Sequence, residues 1–295
     1  MSEYSELILE GLKKRYPEGD VRVEQVVRNN GVFYDGVTVR RNKDANSVPI
    51  LPLCRYEEAM REGMELEEIL DKIEEMLDTH PEVKLRNGFD FDSIRNNIIM
   101  RMVNYDKNKG LLTTCPHRKF LDLAITYRIG VQGIEELPLG TVLINNHMLE
   151  SWGITEDELY AMVYDNCFKK KKVVIQSMHE ILGEYLTGKC EEEVLDTGKG
   201  PLYVARNESK ENGAYAILQT ELFRDLAEQL ETDLFVLPSS IHELVLVPRT
   251  GQISVSDLID MVGHINETVV AEEEVLSNHV YSYVRGKGQI VDLCA

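Results

Sequence analysis

Basic residues are scarce in this chain. Its 32 Lys and Arg stand against 51 Asp and Glu, a formal net charge of −19 over 295 residues. A field of that sign repels phosphate backbones and anionic headgroups, so neither nucleic acid nor a membrane surface is an expected partner. Long apolar runs are missing as well. Nowhere do 18 consecutive apolar residues occur, and no spanning helix is expected. The opening stretch, MSEYSELILEGLKKRYPEGD, lacks the basic start and apolar centre of an export signal. Cysteines are few and scattered, at 54, 115, 167, 190 and 294, with no C-x-x-C pair. That usage predicts reduced thiols and a cytoplasmic location.

The spacings that carry metal and phosphate chemistry are equally absent. Seven histidines, at 80, 117, 147, 179, 242, 264 and 279, show no H-x-H or H-x-x-x-H pair. Neither His179-Glu180 nor His242-Glu243 is followed by the second histidine of H-E-x-x-H. The stretch TGKGP at 197–201 has Gly and Lys without the spacing that wraps amides around a phosphate, and no G-x-G-x-x-G occurs. The sequence therefore predicts no metal and no cofactor.

What is present is an ordinary globular balance, 43% hydrophobic and 28% charged residues. Leu7, Ile8 and Leu12 share one face of a first helix. Two β-branched runs flank Asn29-Asn30-Gly31, a tight hairpin signal, and Asp35-Gly36 suggests a bulge in the returning strand. Leu66, Ile69, Leu70, Ile73, Met76 and Leu77 follow the helical period. Around them, residues 57–82 hold eleven acids against Arg61 and Lys72. The polar stretch KLRNGFDFDS at 84–93 predicts a boundary between a region 1–90 and a larger region 91–295. Beyond it, NIIMRMVNY, KFLDLAITYRIGV and TVLIN read as strands. Thr155 and Glu158 form a capping box. Further strands are expected at LYVAR and DLFVL, helices at SMHEILGEYL, TELFRDLAEQL and SVSDLIDMVGHINETV, and a final strand pair about Gly286-Lys287-Gly288. In the last of those helices Leu258, Val262, Ile265 and Val269 are expected to face inward. Strands and helices alternate irregularly and hairpins recur, which predicts an α+β fold with antiparallel or mixed sheets, packed helices and two lobes.

Five residues stand out as a candidate functional surface: Ser239, Ser240, His242, Glu243 and Trp152. In an extended strand Ser240 and His242 share a face and Glu243 points away. A hydroxyl beside an imidazole is the minimum for nucleophilic catalysis, but no G-x-S-x-G elbow accompanies it. The alternative is turn chemistry, in which serine hydroxyls bond the local backbone. Trp152, the single tryptophan, precedes Gly153 and a helix cap, where a packed wedge is the ordinary role.

Several segments carry a resemblance. NNGVFYDGVTV, GMELEEIL, MVNYDKNKGLLTTCPHRKFLDLAITYRI, LINNHMLESWGITEDELY, GAYAIL, LPSSIHELVLVP and INETVVAEEEVLSNHVYSY resemble, in that order, the bacterial domain of unknown function 5688 family. Residues 145–159 are also similar to the uncharacterised YtpQ-like family. VPILPL at 48–53 departs from the pattern, because Pro52 stands where the resemblance implies a strand. The resemblance implies a bacterial intracellular protein and brings no activity, cofactor or catalytic residues. The leading expectation is a non-enzymatic module that binds another protein. A hydrolase using Ser240 and His242, and an acidic DNA mimic built on residues 57–82, are the alternatives.

Overall fold

A computed structural model of the chain describes residues 2–43, 48–79, 90–132, 138–170, 172–185, 202–238, 240–251 and 253–294. Ser239, Cys190, the Gly-Lys stretch 197–201 and the 84–89 part of the expected boundary lie outside the described residues. The chain divides into two compact units, Met1–Ile94 with Val131–Gly140, and Arg95–Gly130 with Thr141–Ala295.

The first unit opens on helix α1, Glu3–Arg15. The Ser2 hydroxyl caps it by accepting from the Ser5 amide at 3.1 Å. Acids in its first turn and Lys13, Lys14 and Arg15 in its last suit the helix dipole. Strands β1, Asp20–Val27, and β2, Phe33–Arg40, pair antiparallel from Asp20↔Arg40 to Val27↔Phe33. Their turn needs left-handed backbone at Asn30 (φ 62°) and Gly31 (φ 75°), which Asn and Gly adopt at low cost. The bulge expected at Asp35-Gly36 does not form, and the register runs through it unbroken. Gly36 serves packing instead, since a Cβ there would collide with the Ile50 side chain.

Strand β3, Leu51–Pro52, is only two residues long, and helix α2, Leu53–Arg61, follows at once. Proline offers no amide to extend the ladder, which explains the short strand. Helix α3, Leu66–Thr79, is followed across 80–89 by a single helical turn, α4, Phe91–Ile94. Ile8, Leu9 and Leu12 of α1 pack with Val37, Val39, Leu51, Leu53, Ile69, Leu70, Ile73 and Leu77. Two of the expected inward residues, Leu7 and Met76, are exposed; α1 turns Leu9 inward instead of Leu7.

Two further sheets lie mainly in the second unit. Strands β4 (Ile98–Asn104), β5 (His117–Phe120), β6 (Leu123–Gln132) and β7 (Pro138–Leu143) form one, with the short helix α5 (Lys109–Leu112) leading into β5. Its order is β4-β6-β5, with β7 also on β6. The stretch KFLDLAITYRIGV, expected as a single strand, is the junction of two: Leu121, at φ 55°, reverses the chain between β5 and β6. No Gly or Asn marks this turn, so alternation alone reads straight through it.

Helices α6 (Asn146–Trp152) and α7 (Glu156–Asp165) come next, the second with its Thr155–Glu158 capping box in place. Then follow β8 (Val173–Ser177), α8 (Met178–Tyr185), β9 (Tyr203–Asn207), a 3-10 segment (Gly213–Leu218), α9 (Thr220–Gln229), β10 (Leu234–Leu237), β11 (Leu244–Pro248), α10 (Val255–Thr268), β12 (Tyr281–Val284) and β13 (Gln289–Asp292). The six strands make one antiparallel sheet in the order β13-β12-β10-β11-β9-β8. The whole is α+β, as the pattern predicted. Strand β8 was not foreseen: its apolar run, Val173-Val174-Ile175, is short and follows directly on the lysines 169–172. Helix α10 lays Leu258 and Val262 on Phe235, Leu237 and Val247. Its last inward position belongs to Asn266, which donates to the Ser277 carbonyl at 3.0 Å, while Val269 is exposed.

Candidate functional site

Residues 238–243 link β10 to β11, and main-chain bonds grip them from two sides. On one side the Ser277 amide donates to the Pro238 carbonyl at 2.9 Å, the Ile241 amide donates to the Glu274 carbonyl at 2.9 Å, and Ser240 bridges Val275. On the other, Gly213 donates to the His242 carbonyl at 2.9 Å and Ala214 to the Ile241 carbonyl at 3.2 Å. Only glycine fits at 213: a Cβ would stand 2.6 Å from the His242 oxygen and 2.7 Å from the Asn207 nitrogen. The link is a strut wedged between GAYAIL and the segment leading into β12.

Its polar side chains serve that strut. The Ser240 hydroxyl accepts from the His242 amide at 3.1 Å, a serine turn. Among the described residues it makes no bond to the imidazole. His242 Nδ1 accepts from the Asn212 amide at 3.2 Å, which places the ring proton on Nε2, 3.4 Å from a Glu274 oxygen. Residues 240–243 are not extended strand, so the alternation expected there does not apply, and β11 begins only at Leu244. Glu243 pairs at 3.2 Å with Arg206 of β9, whose side chain is 7% exposed and also donates to Gln176 at 3.3 Å. Trp152 lies elsewhere, at the end of α6, where left-handed Gly153 closes the helix.

A second junction centres on Asp122, in the reversal between β5 and β6. One carboxylate oxygen accepts from the Ser277 hydroxyl at 2.6 Å, and the other from the Tyr281 hydroxyl. The Ser277 oxygen in turn accepts from the His279 amide at 2.9 Å. Asn104, at the end of β4, donates to the Leu276 carbonyl at 3.2 Å. His279 Nδ1 stands 2.8 Å from Asp292 and 3.8 Å from Asp122. The Asp292 carboxylate also accepts from the Cys294 amide at 2.9 Å. Burial, followed by the Asp122 charge, raises the Tyr281 phenol well above its usual range. Burial on its own would lower the His279 imidazole, but the bond to Asp292 and the charges of Asp122, Asp292 and Asp106 outweigh it and raise it. The corner is one that attracts cations, and it offers an imidazole nitrogen, carboxylate oxygens and a thiol sulfur.

The segments that meet at these two junctions hold Asn104, Asp122, Gly213, Ser240, His242, Glu274, Ser277 and Tyr281, which come from four of the stretches that carry the family resemblance. A family model, described as a family of unknown function (DUF5688), matches residues 1–285. The chain belongs to the DUF5688 family. No curated protein and no solved structure matches it.

Sequence reasoning found the first junction of this DUF5688 chain and missed the second. Asp122 reaches Ser277 and Tyr281 across 155 and 159 residues, a separation that no short motif records. The one sequence signal is that both ends lie in stretches that carry the family resemblance. The acidic helix of this DUF5688 chain is partly neutralised from within. Arg15 meets Glu67 and Asp71 at 2.7 Å and Glu74 at 3.1 Å, and Arg41 meets Asp78. Those four acids pair with arginines while staying 47–80% exposed to solvent.

Proposed function

We propose that this chain is a cytoplasmic bacterial protein-binding module that docks a basic partner protein on the free end of the β1–β2 hairpin. The observation that carries the reading is the pair Val27 and Phe33, opposed across the two strands and 61% and 65% exposed. On the same face the pairs Val21–Val39 and Val23–Val37 pack into the core. The hairpin thus runs past its own core and carries apolar side chains into water. Burying two such side chains stabilises a complex by about 1.5–3 kcal/mol each. Arg28 lies over the Tyr34 ring, 5.1 Å from its centroid, beside them. Among the described residues β1 pairs with β2 alone, so its outer edge can also accept a partner strand. The net charge of −19 favours a partner rich in Lys and Arg.

Cys54, Cys115, Cys167 and Cys294 are free thiols, which supports a reducing compartment. Among the described residues no helix is long and apolar enough to cross a membrane. The bond from the His242 amide to the Ser240 hydroxyl favours a structural role there over hydrolysis. The test is capture from native cell extract by the natural chain and by Val27→Ser/Phe33→Ser, with stepwise salt elution. A basic protein that crosslinks to the hairpin, leaves at raised salt and is lost with the variant is the expected result. Equal capture by both chains, or self-association through the hairpin in sedimentation, overturns it.

A further inference from the structure

We propose that His279, Asp292 and Cys294 form a zinc site. The imidazole nitrogen, a carboxylate oxygen and the sulfur lie within 4.8 Å of one another. Tetrahedral zinc, with bonds of about 2.0–2.3 Å, separates its donors by about 3.3–3.8 Å. Small side-chain rotations therefore bring all three onto one ion. The backbone beneath them is fixed. Tyr281 pairs with Asp292 across the β12–β13 hairpin, and the Leu293 amide donates to the Val280 carbonyl at 3.0 Å. His279 and Cys294 flank that last rung, so the three donors project from adjacent chain ends.

The donor chemistry selects the metal. Calcium and magnesium take oxygen donors, whereas nitrogen, oxygen and sulfur together suit zinc. Bonds that orient the ligands are already present: the Cys294 amide donates to Asp292 at 2.9 Å, and the Val280 amide donates to the Cys294 sulfur at 3.4 Å. An amide aimed at the sulfur is the kind of outer hydrogen bond that orients a metal-bound cysteine. Asp122, 3.8 Å from His279 Nδ1 and held by Ser277 and Tyr281, either supplies a fourth oxygen or anchors a water in that place. Zinc displaces the proton that His279 shares with Asp292 and the thiol proton of Cys294, and both leave to solvent. Asp292 and Cys294 stand beyond the residues matched by the family model. Sequence spacing gave no metal signal because the histidine comes before the hairpin and the other two ligands close it.

The test uses the full chain, stripped with chelator and titrated with Co²⁺ as a spectroscopic probe for zinc. The expected spectrum has intense tetrahedral d–d bands and a thiolate charge-transfer band, both lost on adding one equivalent of Zn²⁺. Cys294→Ser should abolish the charge-transfer band, and His279→Gln, which removes a ligand, should weaken zinc binding by more than the about 10- to 100-fold that loss of an outer hydrogen-bond partner costs. Cys54→Ser, at an exposed thiol in the other unit, should change neither. Zinc should also protect Cys294, and not Cys54, from alkylation. Weak octahedral cobalt bands, a charge-transfer band that survives Cys294→Ser, or equal alkylation of Cys294 with and without zinc would each overturn the proposal.

Discussion

Adding one methyl group at Gly213 is the sharpest probe of the strut. The new Cβ would stand 2.6 Å from the His242 carbonyl oxygen and 2.7 Å from the Asn207 nitrogen, where ordinary contact begins at 3.4 Å. Both neighbours are main chain, so no rotamer change relieves the clash. The strut or the 3-10 segment must retreat by about 0.7 Å, an overpacking that costs about 1–3 kcal/mol. The same retreat stretches the Gly213–His242 and Ala214–Ile241 bonds, now 2.9 and 3.2 Å. Losing them adds about 1 kcal/mol each. Gly213→Ala should therefore destabilise the second unit by about 3–5 kcal/mol, a fall in melting temperature on the order of 10 °C. Gly263→Ala is the matched control, because no atom lies within 4 Å of its new Cβ inside α10. There the better helix former should stabilise by up to about 1 kcal/mol. Urea denaturation followed by the fluorescence of Trp152, which sits in the same unit, reads both. If Gly213→Ala stays within about 1 kcal/mol of the natural chain, or both variants move the same way, the clamped strut is refuted.

Two further outcomes follow from buried charge. Glu243→Ala leaves the Arg206 guanidinium, 7% exposed, with Gln176 as its remaining hydrogen-bond partner among the described residues and should cost about 1–3 kcal/mol. Arg206→Met added to it should recover part of that loss, and strict additivity in a double-mutant cycle would show the pair to be uncoupled. The hydroxyls of Ser2 and Ser5 hold the Glu57 carboxyl below its ordinary 4.5. Its folded pKa is depressed, so its stabilisation is complete above 4.5 and disappears as pH falls through the lower folded value. The stability difference between the natural chain and Glu57→Gln should shrink over that acid window, and a difference constant with pH would contradict the assignment.

Much of the scaffold could be read from local signals. Asn29-Asn30-Gly31, the Thr155–Glu158 box and the period of Ile69, Leu70, Ile73 and Leu77 are each complete within a few residues, and each appears where expected. Reading failed where tertiary contact overrides the local pattern. Leu121 adopts φ 55° without being Gly or Asn, because Asp122 next to it is held by Ser277 and Tyr281. Asn266 takes an inward helix position that a hydropathy pattern assigns to Val269, because the Ser277 carbonyl needs a donor there. Around Ser240 and His242, both a catalytic pair and a serine turn were legible in the sequence, but not the choice between them. That distinction depends on Asn212 and Glu274, which lie 30 and 32 positions away in the chain. Met76 and Leu7 show the converse error, in which apolar residues in phase with a buried stripe sit at its edge.

The long reach of Asp122 also orders events in time. During synthesis this carboxylate leaves the ribosome more than 150 residues before Ser277 and Tyr281 emerge to meet it, as the separations of 155 and 159 require. Until then the β5–β6 reversal, with its left-handed leucine, is held by main-chain bonds such as that from the Tyr105 amide to the Asp122 carbonyl at 2.9 Å, and its carboxylate lacks both hydroxyl partners. The central β10–β11 hairpin is local and can form early, but the β12 strand on its flank brings the groups that Asp122 awaits. Closure of the two sheets on one another is therefore a late, high-contact-order step. The order of synthesis therefore predicts a nascent unit whose central strands are paired while the Asp122 carboxylate still lacks its late partners.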